Sequence, residues 1–292
     1  MKHAYMIMAH NQEELLKVLL NKLDIEENDI IIHLDQKCNI QEKELEQSIK
    51  KASVYFADRV SVTWGGVSQI EAELKLMEKA RSVGTHCYYH LLTGVDLPLK
   101  PIENINRFFE DNQDKEFINF SDKEECERQF NLRVKYYHFF RNKCGRSKNF
   151  FTIVNKIGIW IQKFMHKTSS FRKEEFVCGS AYWDITEDLV EYVLKQEKKI
   201  KMEYRYTSCC DEVFLHKIVW NSNFRNQLYV NCLGNGYKGN MRWIDMVHGQ
   251  NAGPYIIQEK DIEEIISSGM LFARKFDIFK FPTAISKLMN RV

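Results

Sequence analysis

With 292 residues, 44% of them hydrophobic and 28% charged, the chain has the composition of an ordinary globular protein and can bury a full core. Disorder and collagen-like structure are excluded, and a formal net charge of only +2 offers no global attraction for nucleic acid. The cysteines Cys38, Cys87, Cys126, Cys144, Cys178, Cys209, Cys210 and Cys232 include no C-x-x-C pair, so no structural zinc site is expected, and free thiols suit a reducing cytoplasm.

After Met1-Lys2-His3 comes the apolar run Ala4–Ala9, too short for a signal-peptide core or a membrane span. It predicts a first strand and, with it, a cytoplasmic protein. Helical periodicity over Gln12–Leu23 follows, then the Ile-rich strand Asp29–Leu34, nearly continuous and therefore expected to be buried on both faces. Strand signals return at Ser53–Ala57 and Cys87–Leu92. Between them, Ser68–Ser82 reads as a helix with Ile70, Leu74 and Met77 on one face. This alternation predicts an α/β fold, a Rossmann-type, mostly parallel sheet flanked by helices. Four prolines and no Gly/Ser-rich stretch leave no linker, so residues 1–292 read as one domain. Ligands gather beyond the carboxyl ends of strands in such sheets, where Ala9-His10-Asn11, His33-Leu34-Asp35-Gln36-Lys37 and Thr93-Gly94-Val95-Asp96 form polar clusters.

Farther along, no Asp or Glu occurs between Arg133 and Lys173, while Lys and Arg recur among Tyr136, Tyr137, Phe139, Phe140, Phe150, Phe151, Trp160 and Phe164. Two readings stay open. One is a basic helix whose apolar face packs on the core; the other is a surface for anionic lipid head groups or an anionic acceptor. Single-stranded nucleic acid uses the same residue types, but the near-neutral whole chain argues against it. Asp211–Trp220 reads as a helix with Val213, Phe214 and Ile218 available for burial, and Glu212 in its first turn would be stabilised as the anion. Gly234, Gly236 and Gly239 lack a strand–helix frame and read as loop glycines.

A sugar nucleotide needs a base pocket, charge stabilisation for its diphosphate and a base for the incoming hydroxyl. No Asp-x-Asp pair for a metal occurs in the chain. Fixed cations would then have to serve, and Arg274-Lys275 stand among aromatics in Leu271–Asp277. Charge-assisted contacts are worth about 1.5–3 kcal/mol each, so two supply on the order of a hundredfold or more in rate.

The order and spacing of several blocks are specific where each block alone is not. They are Ala4 to His10, His33 to Lys37, Trp64-Gly65-Gly66-Val67-Ser68, Tyr88 to Leu99, Gly179-Ser180-Ala181-Tyr182-Trp183, Ser208-Cys209-Cys210-Asp211-Glu212, and Phe272 to Asp277. Over nearly the whole chain they resemble glycosyltransferase family 14, the core-2/I-branching β-1,6-N-acetylglucosaminyltransferases and peptide O-xylosyltransferases, in a bacterial-type form. The resemblance implies a GT-A-like fold. It also implies an inverting, metal-independent enzyme without cofactor, which moves a sugar, N-acetylglucosamine in the nearer branch, from a UDP-sugar to a glycan or lipid-linked saccharide. Surface polysaccharide synthesis, with peripheral contact at the inner face of the membrane, would be its setting. By the same resemblance Ala9, Asp35 and Trp64 hold uridine, Arg274 and Lys275 hold the diphosphate, and Glu212 is the catalytic base. Asp96, Ser180, Tyr182 and Asp211 line the substrate side.

The sequence also departs from the family pattern. Ala181 replaces the acidic residue that follows Gly-Ser in the xylosyltransferases, which leaves Glu212 as the base. An upstream arginine of the animal branching enzymes would fall near Ala252, and Met246 stands where an acceptor-contacting Trp is expected. A xylosyltransferase, another UDP-sugar transferase, and a non-catalytic membrane-docking module are the competing readings.

Overall fold

The computed structural model describes residues 1–146, 149–250 and 253–292, so Ala252 lies outside the described residues. The strands are β1 (His3–Ala9), β2 (Asn28–Leu34), β3 (Ser53–Phe56), β4 (Tyr88–Thr93), β5 (Leu97–Pro98), β6 (Phe117–Ile118), β7 (Trp183–Thr186), β8 (Arg242–Ile244) and β9 (Phe272–Arg274). Six form the main sheet in the order β3-β2-β1-β4-β7-β6, and three form a small sheet in the order β5-β9-β8. β3, β2, β1 and β4 are parallel, and β7 runs antiparallel to both β4 and β6.

The period-2 alternation of β1 sorts its side chains between two cores. Ala4 and Met6 join a core that includes Ile70, Leu74 and Met77 of the helix Ser68–Val83. Tyr5, Ile7 and Ala9 join another that includes Leu15, Leu16 and Leu19 of the helix Glu13–Leu23. All seven residues of β2 are buried, as its isoleucine run predicts for a strand covered on both faces. The small sheet is tied to the large one through Arg242, whose guanidinium is buried and donates to Asp184 Oδ1 at 2.7 Å and to the Leu91 carbonyl at 3.2 Å. A buried guanidinium demands such acceptors, and they fix where β8 and β9 sit.

Two expectations are corrected. Asp211–Trp220 is not one helix: Cys210–Glu212 is a 3-10 turn, Val213 breaks the path at φ −134° and ψ −45°, and the α-helix runs Phe214–Trp220. Glu212 therefore lies in the turn before the α-helix and not in its first turn. Tertiary partners of Asp211 and Glu212, described below, hold the turn. The basic segment does contain a helix, Phe150–Phe164, but its apolar face does not pack on the core: Phe150, Trp160 and Phe164 are 72%, 66% and 76% exposed. Among the described residues no helix is long and apolar enough to cross a membrane. None of the eight cysteines, all among the described residues, forms a disulfide, and Gly234 and Gly236 take left-handed loop conformations at φ 69° and 58°.

Candidate active site

The parallel strands end on one rim. Ala9 closes β1, and its carbonyl accepts from the Asp35 amide at 3.0 Å just beyond β2. The Asp35 carboxylate accepts from the Lys37 amide at 2.8 Å and the Val62 amide at 3.2 Å, so it organises the loop after β3. That loop carries Trp64, 38% exposed, onto the rim. The Arg141 and Arg146 guanidiniums lie 5.1 and 4.5 Å from its ring centroid, within cation–π range. Gly65 turns the chain at φ 73°, and its carbonyl accepts from the Cys209 amide at 2.8 Å and from Arg141 Nε at 3.1 Å. A Cβ at Gly94 would lie 3.2 Å from that of Ala9, so the turn after β4 packs closely on the end of β1.

From the small sheet, β9 delivers Arg274 and Lys275, joined by a cis peptide bond. Arg274 is buried, with its guanidinium 4.0 Å from the Tyr182 ring centroid and Nη1 3.5 Å from Asp96 Oδ1. Its Nε and Nη1 find no hydrogen-bond partner among the described residues. Asp96 is itself engaged with the Thr93 amide and hydroxyl at 2.7 and 3.0 Å, so it backs Arg274 from within the turn. Lys275 is half-buried; desolvation and then the Arg274 charge lower its pKa, with Asp277 opposing. His10 shares this field: desolvation lowers its pKa first, Asp35 opposes, and Lys275, Lys37 and Arg146 add to the lowering. An anion placed here would accept from the guanidinium nitrogens that lack a hydrogen bond and would offset the crowded cations.

Across the rim lie the carboxylates. Glu212 is ion-paired with Arg133 Nη2, while Arg133 Nη1 donates to the Cys209 carbonyl at 3.1 Å. Asp211 accepts from Gln69 Nε2 at 2.7 Å, and Gln69 Oε1 accepts from the Gly65 amide. Gln69 thus links the Trp64 turn to the Asp211-Glu212 turn. Burial raises Asp211 to about 7, reinforced by the Glu212 carboxylate and opposed by Arg133. Fully buried Glu73 is also raised, first by burial and then by Asp211. Tyr237 belongs to this cluster too, pushed up to about 12 by burial and then by Glu212 and Asp245. Asp245 heads the loop in which Met246 is 52% exposed.

The Gly179-Ser180 corner fits between these halves. The Gly179 amide donates to the Glu212 carbonyl at 3.1 Å, and the Ser180 amide donates to Asn119 Oδ1 at 2.9 Å. Asn119 donates in turn to the Gly236 carbonyl at 2.6 Å. Tyr182 presents its ring to Arg274, and Asn240 Nδ2 holds its carbonyl at 2.8 Å.

The residues expected at the site therefore fall into three kinds of place. Trp64, Lys275, Glu212, Ser180 and Tyr182 retain exposed or half-exposed surface; Asp35, Asp96, Asp211 and Arg274 are buried with protein partners; Ala9 supplies backbone. The residues that sequence reasoning missed are Arg133, Gln69, Asn119 and Arg146. Arg133 and Arg146 bordered or lay within the acid-free stretch, a signal read there only as a surface. Gln69 and Asn119 carry no local signal for the site, because Asp211 lies 142 residues from Gln69 and Ser180 lies 61 residues from Asn119.

The class these features define is an α/β protein whose mostly parallel sheet gathers cations and carboxylates beyond its strand ends. More particularly, the chain belongs to the Core-2/I-Branching enzyme family, whose model matches residues 3–266. It is 21% identical over 302 residues to an N-acetyllactosaminide β-1,6-N-acetylglucosaminyl-transferase of Mus musculus, covering 99% of this chain and 72% of the relative. It is 24% identical to xylosyltransferase 2 of Rattus norvegicus, covering 94% of this chain but only 32% of that protein. Among solved structures, core-mannan synthase A of Aspergillus fumigatus aligns at a TM-score of 0.37 and 12% identity, over 80% of this chain and 71% of that one.

Proposed function

We propose that this protein transfers a sugar, N-acetylglucosamine as the first candidate, from a UDP-sugar to a hydroxyl of a glycan or lipid-linked saccharide, with inversion and without a divalent metal. The observation that carries the reading is the buried Arg274 guanidinium, whose Nε and Nη1 make no hydrogen bond among the described residues, beside Lys275 on the Trp64 rim. Trp64 offers the flat wall for the uracil ring. Arg274, Lys275 and Arg146 take up charge as the phosphate–sugar bond breaks. Glu212 removes the acceptor proton while the acceptor oxygen bonds to the anomeric carbon on the face opposite UDP. Arg133 orients that carboxylate. The mouse relative's activity supports N-acetylglucosamine and the rat relative's supports xylose, and a donor panel separates them.

The test is UDP binding by calorimetry, followed by turnover across UDP-sugars with the product anomer assigned by NMR. Glu212→Gln should bind UDP as the parent does and lose transfer. Full turnover by that variant would remove the base assignment, and failure to bind UDP would remove the donor assignment.

A further inference from the structure

We infer that the helix Phe150–Phe164 is an in-plane anchor that docks this protein on an anionic lipid bilayer. Phe150, Ile153, Ile157, Trp160, Ile161 and Phe164 are all exposed. At helical spacing they fall within an arc of about 100°, so they form one continuous apolar stripe. The helix is already formed although, among the described residues, its stripe stays exposed. Asn149 and Thr152 make a reciprocal capping box at its start, and Gln162, on the opposite side, accepts from the Tyr137 amide and donates to the Tyr137 carbonyl, both at 2.9 Å. The protein therefore ties the helix down on its polar side and turns its apolar side outward.

Charge selects the occupant. Lys156 and Lys163 are exposed and lie along the Trp160 edge of the stripe, Lys167 follows it, and no Asp or Glu occurs between Arg133 and Lys173. A second copy of the chain laid on this face would set lysine against lysine with no carboxylate from the segment to neutralise them. Anionic head groups neutralise them, while acyl chains take the stripe and Trp160 sits at the boundary between the two. The basic aromatic segment also supplies Arg146, which stacks on Trp64, so the docked segment is the one that reaches the candidate donor site. The docking itself does not depend on the proposed activity.

The test is co-sedimentation of the full chain with vesicles of phosphatidylcholine plus phosphatidylglycerol, against phosphatidylcholine alone. Binding to the anionic vesicles only, with a blue shift of tryptophan emission that Trp160→Phe removes, is expected. Ile157→Asp with Trp160→Asp should lower partitioning at least roughly tenfold. Lys156→Gln with Lys163→Gln should lower it about twenty-five-fold, at about fivefold per cation. These side chains are exposed, so melting temperature and UDP binding should stay at the parent's values. No partitioning, or equal partitioning into neutral vesicles, would overturn the inference. So would a dimer that Ile157→Asp with Trp160→Asp dissociates in the absence of vesicle binding.

Discussion

A single methyl group added at Gly179 should cost both stability and activity. A Cβ there would lie 1.9 Å from the Asn119 carbonyl oxygen and 2.7 Å from His216 Nε2. Neither neighbour can yield cheaply. Asn119 follows β6 and is tied to Asn235 and Gly236, and His216 is fully buried in the helix Phe214–Trp220. The corner itself must move, which breaks the Gly179 amide bond to the Glu212 carbonyl and the Ser180 amide bond to Asn119. Two hydrogen bonds at about 1 kcal/mol each, with about 1–3 kcal/mol of overpacking, give a loss of roughly 3–5 kcal/mol. For a chain of this size that lowers the melting temperature on the order of 10 °C. Thermal unfolding of Gly179→Ala measures it, and transfer should fall as well because the same corner holds the Glu212 backbone. A melting temperature and a turnover both equal to the parent's would refute the reasoning.

Lys275→Ala should lower kcat/KM about ten- to hundredfold if the lysine meets the leaving diphosphate, and a chelator should leave the parent's rate unchanged. Full activity in the variant, or a strict manganese requirement in the parent, would defeat the fixed-cation account. Asp211→Asn tests the buried carboxyl. Because Asp211 titrates near 7 in the fold and near 3.8 when ordinary, its preference for the folded state is complete below about pH 4 and is lost as pH rises to 7. The Asn variant stays neutral, so its stability relative to the parent should grow by a few kcal/mol between pH 5 and pH 8. Parallel melting curves against pH would show that Asp211 is not held as the acid.

Local pattern sufficed wherever one element's own periodicity settles burial. The isoleucines of β2 could only be covered on both faces, and the strands after Lys2, Ala52 and Cys87 lie within a residue or so of where alternation puts them. The same holds for Ile70, Leu74 and Met77, which share the buried side of their helix. Trp64, Glu212, Arg274 and Lys275 were likewise legible as blocks in order along the chain. Long-range contacts settled the rest. Cys210–Trp220 splits because Gln69 holds Asp211 and Arg133 holds Glu212, partners that no window along the chain contains. Phe150–Phe164 has an apolar stripe that would suit a core or a bilayer equally well. Periodicity reports that a face is apolar, whereas its exposure depends on what the remaining chain places over it.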